Sequence, residues 1–126
     1  MILFDTDVLI DVSREVPEAE AVLARAEAEG RPAISVVTRM ELAVGCRDNR
    51  ELASVRRFLR RFDVVQINER VSARAAALVE AHWLSHTLRM PDALIAATAI
   101  ETGLPLVSKN QKDFRFIPDL TLLPYP

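Results

Sequence analysis

Four acidic residues, Asp5, Glu41, Asp92 and Asp113, are far apart in the sequence but occupy similar local positions. Each lies where an apolar segment gives way to a helix start or a turn. If the apolar segments are parallel strands of one sheet, these positions fall along one edge, and the four side chains form a cluster. Clustered carboxylates raise one another's pKa or require a divalent cation, and oxygen ligands favour Mg²⁺ or Mn²⁺. The pattern therefore predicts a site for a hard cation.

Each acid also has a structural explanation. Asp5 suits a helix N-cap, Thr38-x-x-Glu41 matches a capping box, Asp92 would complement a helix dipole, and Asp113 would stabilise a turn. Taken singly, these explanations are about as good as a functional one. The combination of all four favours a functional site.

Short apolar runs alternate with helix-spaced apolar positions along the chain. This alternation predicts an α/β fold with a mostly parallel central sheet of four to five strands flanked by helices. Apolar residues surround the helix that starts at Pro91 almost completely, so we expect it to be the central helix packed on the sheet. Strands are expected at 2–4, 33–36, 64–67, 104–107 and 120–123, and helix starts after Pro17 and at Thr38, Asn68 and Pro91.

Composition limits the class of protein. With 126 residues, half of them hydrophobic, the chain should bury roughly two thirds of its unfolded surface in one domain over 1–126. The net charge of -2 provides no overall basic field, so any nucleic-acid contact must be local. Cys46 is the only cysteine, which excludes an internal disulfide and suits a reducing cytoplasm. No segment resembles a signal peptide or a membrane span, so we expect a cytoplasmic protein.

Four segments carry the acids in a recognisable order: FDTDVLID at 4–11, MEL at 40–42, PDALIAATA at 91–99 and SKNQKDF at 108–114. Together they resemble the PIN-domain family, specifically the VapC toxins of bacterial and archaeal type II toxin-antitoxin systems. DALIAATA is the most specific of these segments. The resemblance covers nearly the whole chain and implies the PIN-like three-layer fold.

The resemblance also implies an activity, which is Mg²⁺- or Mn²⁺-dependent endoribonuclease cleavage of RNA. Asp5 and Asp92 would be the principal metal ligands, with Glu41 and Asp113 completing the acidic pocket. A divalent cation activates water and neutralises the developing charge, so no histidine or cysteine nucleophile is needed. Relatives of this kind pair with a small VapB-like antitoxin and form homodimers.

Three further polar residues belong to the motifs. Ser108 and Asn110 would support the pocket. Position 7 is Asp, where Asn is also common in the family, so a fifth carboxylate lies close to the site. The segment 82–90 lacks the glycine that many relatives carry there, which affects the shape of the pocket entrance.

Other features are weaker. Arg56, Arg57 and Arg60 form a basic band that would hold RNA phosphates, although a solvated helix face explains it better. His82 and His86 have metal-ligand spacing but lack a third ligand, which argues against zinc. Trp83 is expected to be a partly buried packing residue, and the apolar surfaces of the fourth and fifth helices are expected to form the dimer interface.

Two alternative functions fit the same residues. A haloacid-dehalogenase-like phosphatase would use Asp5 as nucleophile and Asp7 as acid/base, with Ser35 and Lys109 binding phosphate. The chain is short for that fold and lacks a late Asp-Asp pair. A non-catalytic PIN-fold binding module is the second alternative.

Overall fold

A computed structural model describes residues 1–125 as a parallel sheet covered by helices on both faces. The strands are β1 (Leu3–Phe4), β2 (Ala33–Ser35), β3 (Asp63–Val65), β4 (Leu106–Val107) and β5 (Leu122–Leu123). The helices are α1 (Thr6–Ser13), α2 (Pro17–Glu29), α3 (Val36–Val44), α4 (Asn49–Leu59), α5 (Glu69–His86), α6 (Met90–Thr102) and α7 (Gln111–Phe114). None of these helices is both long and apolar enough to cross a membrane.

The sheet has the order β3-β2-β1-β4-β5, and every neighbouring pair is parallel. The predicted α/β class with a parallel sheet is therefore confirmed. All five strands are shorter than predicted or shifted by one or two residues. Strands of two or three residues are too short for their ends to be read from apolar runs, since the ladder partners decide where pairing stops.

Successive strand residues point to opposite faces of the sheet and divide the core into two layers. Leu3, Ala33 and Leu106 pack on one face with α5 and α6. The residues that follow them, Phe4, Ile34 and Val107, pack on the other face with α1, α2 and α4. These two cores make the three-layer arrangement predicted from the sequence.

Helix α6 is the most deeply buried helix, as its all-round apolar sequence predicts. Its six buried residues are Ala93, Ile95, Ala96, Ala97, Thr98 and Ala99. Pro91 occupies its first turn, where the missing N–H of proline costs nothing, and Gly103 ends it in the left-handed region at φ 70°. The helix is thus fixed at both ends, and Asp92 is held in its first turn.

Of two predicted helix caps, the one at Asn68 is confirmed and the one at Thr38 is wrong. Asn68 caps α5 as predicted, accepting the Val71 N–H at 2.9 Å. Thr38 was the wrong residue for α3, because Ser35 ends β2 and caps the helix directly, accepting the Val37 N–H at 3.1 Å. With no loop between strand and helix, Thr38 lies inside the first turn, and Glu41 lies in the middle of α3 rather than in a capping box.

Candidate active site

The chain reverses its direction of travel across the sheet between β1 and β4. From β1 it proceeds through β2 to β3, and it then returns to add β4 and β5 on the other side of β1. Such a switch point leaves a crevice at the carboxyl ends of the strands, where α/β proteins bind their ligands. Asp5 follows β1 and Ser108 follows β4, so both lie at this crevice.

Asp5 is held from both sides of the switch point. It is only 4% exposed. Its Oδ1 accepts the Thr6 N–H at 2.8 Å, and its Oδ2 accepts the buried Ser108 hydroxyl at 2.7 Å. Asp5 is therefore an N-cap of α1, as its structural explanation required, and also part of an acidic cluster. The two explanations weighed for this residue are compatible.

Asp7 lies in the first turn of α1 within hydrogen-bonding reach of Asp5. Its Oδ1 accepts the Lys109 N–H at 3.5 Å, whereas its Oδ2 is buried and has no hydrogen-bond partner within residues 1–125. Burial, followed by the charge of Asp7, raises the pKa of Asp5 to about 8. Burial also raises the pKa of Asp7. A proton or a cation is needed to compensate this pair of carboxylates.

A second polar network fixes α1 against the loop that follows β4. Asp11, one helical turn after Asp7, is buried. It lies 3.3 Å from the Lys109 ammonium group and accepts the Tyr125 hydroxyl at 2.9 Å. Burial and this hydrogen bond raise the pKa of Tyr125 to about 12. The loop that carries Ser108 is thus tied to the helix that carries Asp7.

Glu41 approaches the crevice from α3. Its Oε1 accepts the Thr6 hydroxyl at 2.6 Å, and the same hydroxyl lies 3.0 Å from the buried Thr38 hydroxyl. Thr6 is the residue next to Asp5, so this contact connects Glu41 to the Asp5 side of the site. Thr38 supports Thr6 and does not cap the helix.

Asp92 connects the remaining acids. With Glu41 it lines a groove of about 670 Å³ between α5 and α6, and with Asp113 it lines a small cavity of about 40 Å³. Burial raises the pKa of Asp92 to about 6, and the negative charges of Asp113, Glu41 and, more weakly, Asp7 act in the same direction. Asp113 lies on the short helix α7, not in a loop as predicted.

The predicted site residues therefore meet at one edge in two groups. Asp5, Asp7 and Ser108 form one group, and Glu41, Asp92 and Asp113 form the other. Within residues 1–125, no three His, Cys, Asp or Glu side chains are arranged tightly enough to hold a metal ion by themselves. Mg²⁺ takes only one or two direct carboxylates and keeps several waters, so this wider spacing is compatible with its coordination. The unpartnered Asp7 oxygen and the all-oxygen donor set also fit a hard cation.

The other predicted residues have different positions. Asn110 donates its N–H to Ser108 Oγ at 3.0 Å and so shapes the loop. The exposed residues Arg56, Arg57 and Arg60 end α4, and the Arg60 carbonyl accepts a hydrogen bond from Arg31, just before β2. Arg60 therefore lies near the edge of the sheet opposite the acids. An RNA contact by this band stays a prediction.

Ser35 and Lys109 offer little to a phosphate group. The Ser35 side chain is fully buried and caps α3, and the Lys109 ammonium group is paired with Asp11. Both assignments belonged to the phosphatase alternative. Their engagement elsewhere argues against that alternative.

The sequence did not point to several residues that build the site. Thr6 and Thr38 connect Glu41 to Asp5, while Asp11, Lys109 and Tyr125 anchor the loop. The spacing of Asp7 and Asp11 by four residues places them on one helix face, and this was the one available signal. Trp83 was expected to be partly buried but is 50% exposed and lines the groove beside Asp92.

Comparison with known proteins agrees with this geometry. The model of the PIN domain family matches residues 2–120. Ribonuclease VapC10 of Mycobacterium tuberculosis is 40% identical over 111 residues, which cover 87% of this chain and 83% of that protein. Ribonuclease VapC19 of the same organism is 33% identical over 122 residues, which cover 95% and 97% of the two chains.

Solved structures agree as well. A toxin-antitoxin complex from Klebsiella pneumoniae contains a chain that is 36% identical, with a TM-score of 0.81 and coverage of 99% and 98%. A chain of VapBC2 from Rickettsia felis, bound to a DNA fragment from its promoter, has a TM-score of 0.83 over both full chains at 22% identity, which shows the fold alone. On the match over residues 2–120 and the identity to the two ribonucleases, the chain belongs to the PIN-domain family, among its VapC-type members.

Proposed function

We propose that this chain is a divalent-cation-dependent endoribonuclease, a VapC-like toxin that hydrolyses phosphodiester bonds of RNA. The observation that carries the proposal is the Asp5 carboxylate, buried at the switch point and held by Ser108 from β4. Burying an acid next to a second acid, Asp7, costs stability unless a cation or proton compensates. The names of the related ribonucleases support the same activity.

The residues divide the work of holding a cation and positioning the substrate. Asp5 and Asp92 are the proposed direct ligands of Mg²⁺ or Mn²⁺. When bound, the cation activates water and neutralises the charge that develops on the phosphate. Glu41 shares the larger groove with Asp92, and Asp113 shares the smaller cavity with it, so either acid can orient the attacking water or recruit a second ion with the substrate. Ser108, through its hydroxyl, fixes the direction of Asp5.

Asp7 has a supporting role in this scheme. Its buried Oδ2 lacks a partner, so it adds negative charge next to Asp5 that a cation would neutralise. Its other oxygen accepts the Lys109 N–H, which keeps it directed toward the loop after β4. Asp7 thereby raises the affinity of the site for a cation.

A partner of the VapB type is the second part of the proposal. The similar solved structures include a toxin-antitoxin complex and a member of the VapBC family of toxin-antitoxin systems. We propose that a small antitoxin holds this chain inactive. We also propose a homodimer. On α4, Leu59 is buried and Val55 and Phe58 are partly buried against the core, so a contribution of this helix to the dimer interface stays a prediction. The exposed apolar residues Trp83 and Leu84 lie on α5.

The test is cleavage of RNA by the purified, partner-free chain. Total RNA is incubated with Mg²⁺ or Mn²⁺, and new 5′ ends are mapped. Wild type should produce discrete ends with a 5′-phosphate, and Asp5→Asn and Asp92→Asn should abolish them. Glu20→Gln is the matched control, because it also removes one negative charge but lies on α2, away from the acids.

Each outcome selects one function. Loss of cleavage in both Asp variants, with the control active, supports the nuclease. Equal cleavage by all variants shows that the proposed residues are the wrong ones. No cleavage by wild type favours a non-catalytic module, and an acid-stable phosphate on Asp5 would favour the phosphatase.

A further inference from the structure

The side chain of His86 makes two specific contacts although the residue is exposed. Its ring stacks on Phe116 at a centroid distance of 3.9 Å and an angle of 10°, and its Nδ1 shares a hydrogen bond of 2.7 Å with Ser85 Oγ. Phe116 itself packs against the core. Phe116 therefore covers one face of the imidazole, while His86 as a whole residue is exposed to solvent.

The chain places this ring beside the acids. His86 is the last residue of α5, and Thr87 then turns in the left-handed region at φ 55°, donating its N–H to the Trp83 carbonyl at 2.8 Å. Helix α6 starts three residues later at Met90. As a result, His86 lines the cavity of about 40 Å³ together with Asp92 and Asp113.

The size of this cavity determines what can occupy each part. A volume of 40 Å³ has room for about one or two waters, which is too little for a nucleobase. A phosphate at the acids would therefore leave its attached base outside the cavity. His86, which lines the cavity and is exposed to solvent, is available there to contact the base.

We propose that His86 is a stacking platform for a nucleobase of the RNA, next to the phosphate that lies at the acids. This rests on the proposed nuclease function, because the acids are what place a phosphate there. A flat ring already stacked on one side offers its second face with little ordering cost, and every base has a face that can stack. His86 thus contributes to RNA binding with little selectivity among bases.

His82 provides a matched control. It lies one helical turn before His86 and also contacts Phe116, at a centroid distance of 5.0 Å, but it does not line the cavity. Replacing either histidine by alanine removes a ring from the same aromatic group. Only the loss of His86 should affect RNA.

The experiment measures both binding and cleavage. Binding of a short fluorescein-labelled single-stranded RNA of mixed sequence is measured with Mg²⁺ in a Glu41→Gln background, which keeps both proposed cation ligands, and kcat and KM are measured in the otherwise unchanged chain. His86→Ala should weaken binding and raise KM by about tenfold, with kcat within about twofold of wild type. His86→Tyr should restore both, and His82→Ala should change neither.

The opposite results overturn the inference. Unchanged RNA binding by His86→Ala overturns the inference. RNA binding that is normal in His86→Gln but weakened in His86→Tyr also overturns it, because that pattern indicates a polar contact. Thermal unfolding of each variant excludes a folding defect as the cause. If wild type cuts RNA and His86→Ala binds RNA normally, the stacking role of His86 is wrong and the nuclease function stands. If RNA binds in a His86-dependent way but is never cut, the nuclease function alone fails, and an absence of binding and cleavage overturns both.

Discussion

Replacing Asp92 by Asn should make the metal-free protein more stable at pH 8. Burial and neighbouring acids raise the pKa of Asp92 from 3.8 to about 6. At about 1.4 kcal/mol per pKa unit this shift would correspond to about 3 kcal/mol, but Asp92 is only partly buried and solvent screening reduces the loss on ionisation to about 1.5 kcal/mol. Asn cannot ionise, so the variant avoids that loss.

The sign follows from proton binding. Between pH 4 and pH 6, the folded state holds a proton on Asp92 more often than the unfolded chain does, so the free energy of unfolding falls as pH rises. About one pH unit above the folded-state pKa, near pH 7, the loss is essentially complete. Asp92 also lies in the first turn of α6, where its charge gains about 0.3–1 kcal/mol from the helix dipole. Asp92→Asn should therefore gain about 1 kcal/mol net at pH 8 and be nearly neutral at pH 4.

Urea unfolding with EDTA at several pH values measures this difference. Asp5, whose pKa is raised to about 8, adds a slope of the same sign in both proteins, so comparing wild type with the variant isolates Asp92. Saturating Mn²⁺ should make wild type more stable than Asp92→Asn, because a ligand at 100 times its Kd adds about 2.7 kcal/mol to the free energy of unfolding of the protein that binds it. Asp92→Asn being less stable than wild type at pH 8 without metal would refute the electrostatic reasoning.

Two further substitutions test how the site is held. Ser108→Ala removes the buried hydroxyl that donates to Asp5 and should lower the free energy of unfolding by about 2 kcal/mol, which urea titration at pH 8 would detect; an unchanged midpoint would contradict this. Thr87→Asn replaces a β-branched residue at φ 55° by one that tolerates this conformation and should raise the stability by about 1 kcal/mol. Calorimetry should then find a higher Tm, and a lower one would argue against backbone strain.

The strained Thr87 also explains a departure that the sequence shows but could not interpret. The segment 82–90 contains no glycine, although the resemblance to the family led us to expect one. The structure nevertheless places a left-handed residue there, Thr87, at the end of α5. The conformational cost falls on a β-branched residue that is poorly suited to this region.

The parts of the fold that depend on local sequence were predictable. The burial of α6 follows from apolar residues on all sides, and the cap at Asn68 follows from a short polar side chain before an apolar stripe. The cap of α3 was not predictable in the same way, because Ser35 and Thr38 are both good caps. The choice was made by β2, whose pairing with β3 ends at Ser35.

Local sequence patterns could not predict the contacts that form the site. Ser108 and Asp5 are 103 residues apart, and Tyr125 and Asp11 are 114 apart. Sequence order alone placed the acids at one edge through the parallel-sheet rule. It could not say which hydroxyl would meet which carboxylate, because that depends on β4 pairing beside β1.

The fold can hold an acidic cluster because the adjoining layer is strongly apolar. Ionising the partly buried Asp92 costs about 1.5 kcal/mol after solvent screening, while burying one side chain such as Ile95, at 1% exposure, contributes about 1.5–3 kcal/mol. A single apolar residue one turn along α6 therefore offsets the cost of the acid at its start. Because that compensation comes from the same rigid helix, Asp92 cannot move away from Glu41 and Asp113 without exposing the core. The repulsion among the carboxylates is therefore reduced only when a proton or a cation binds.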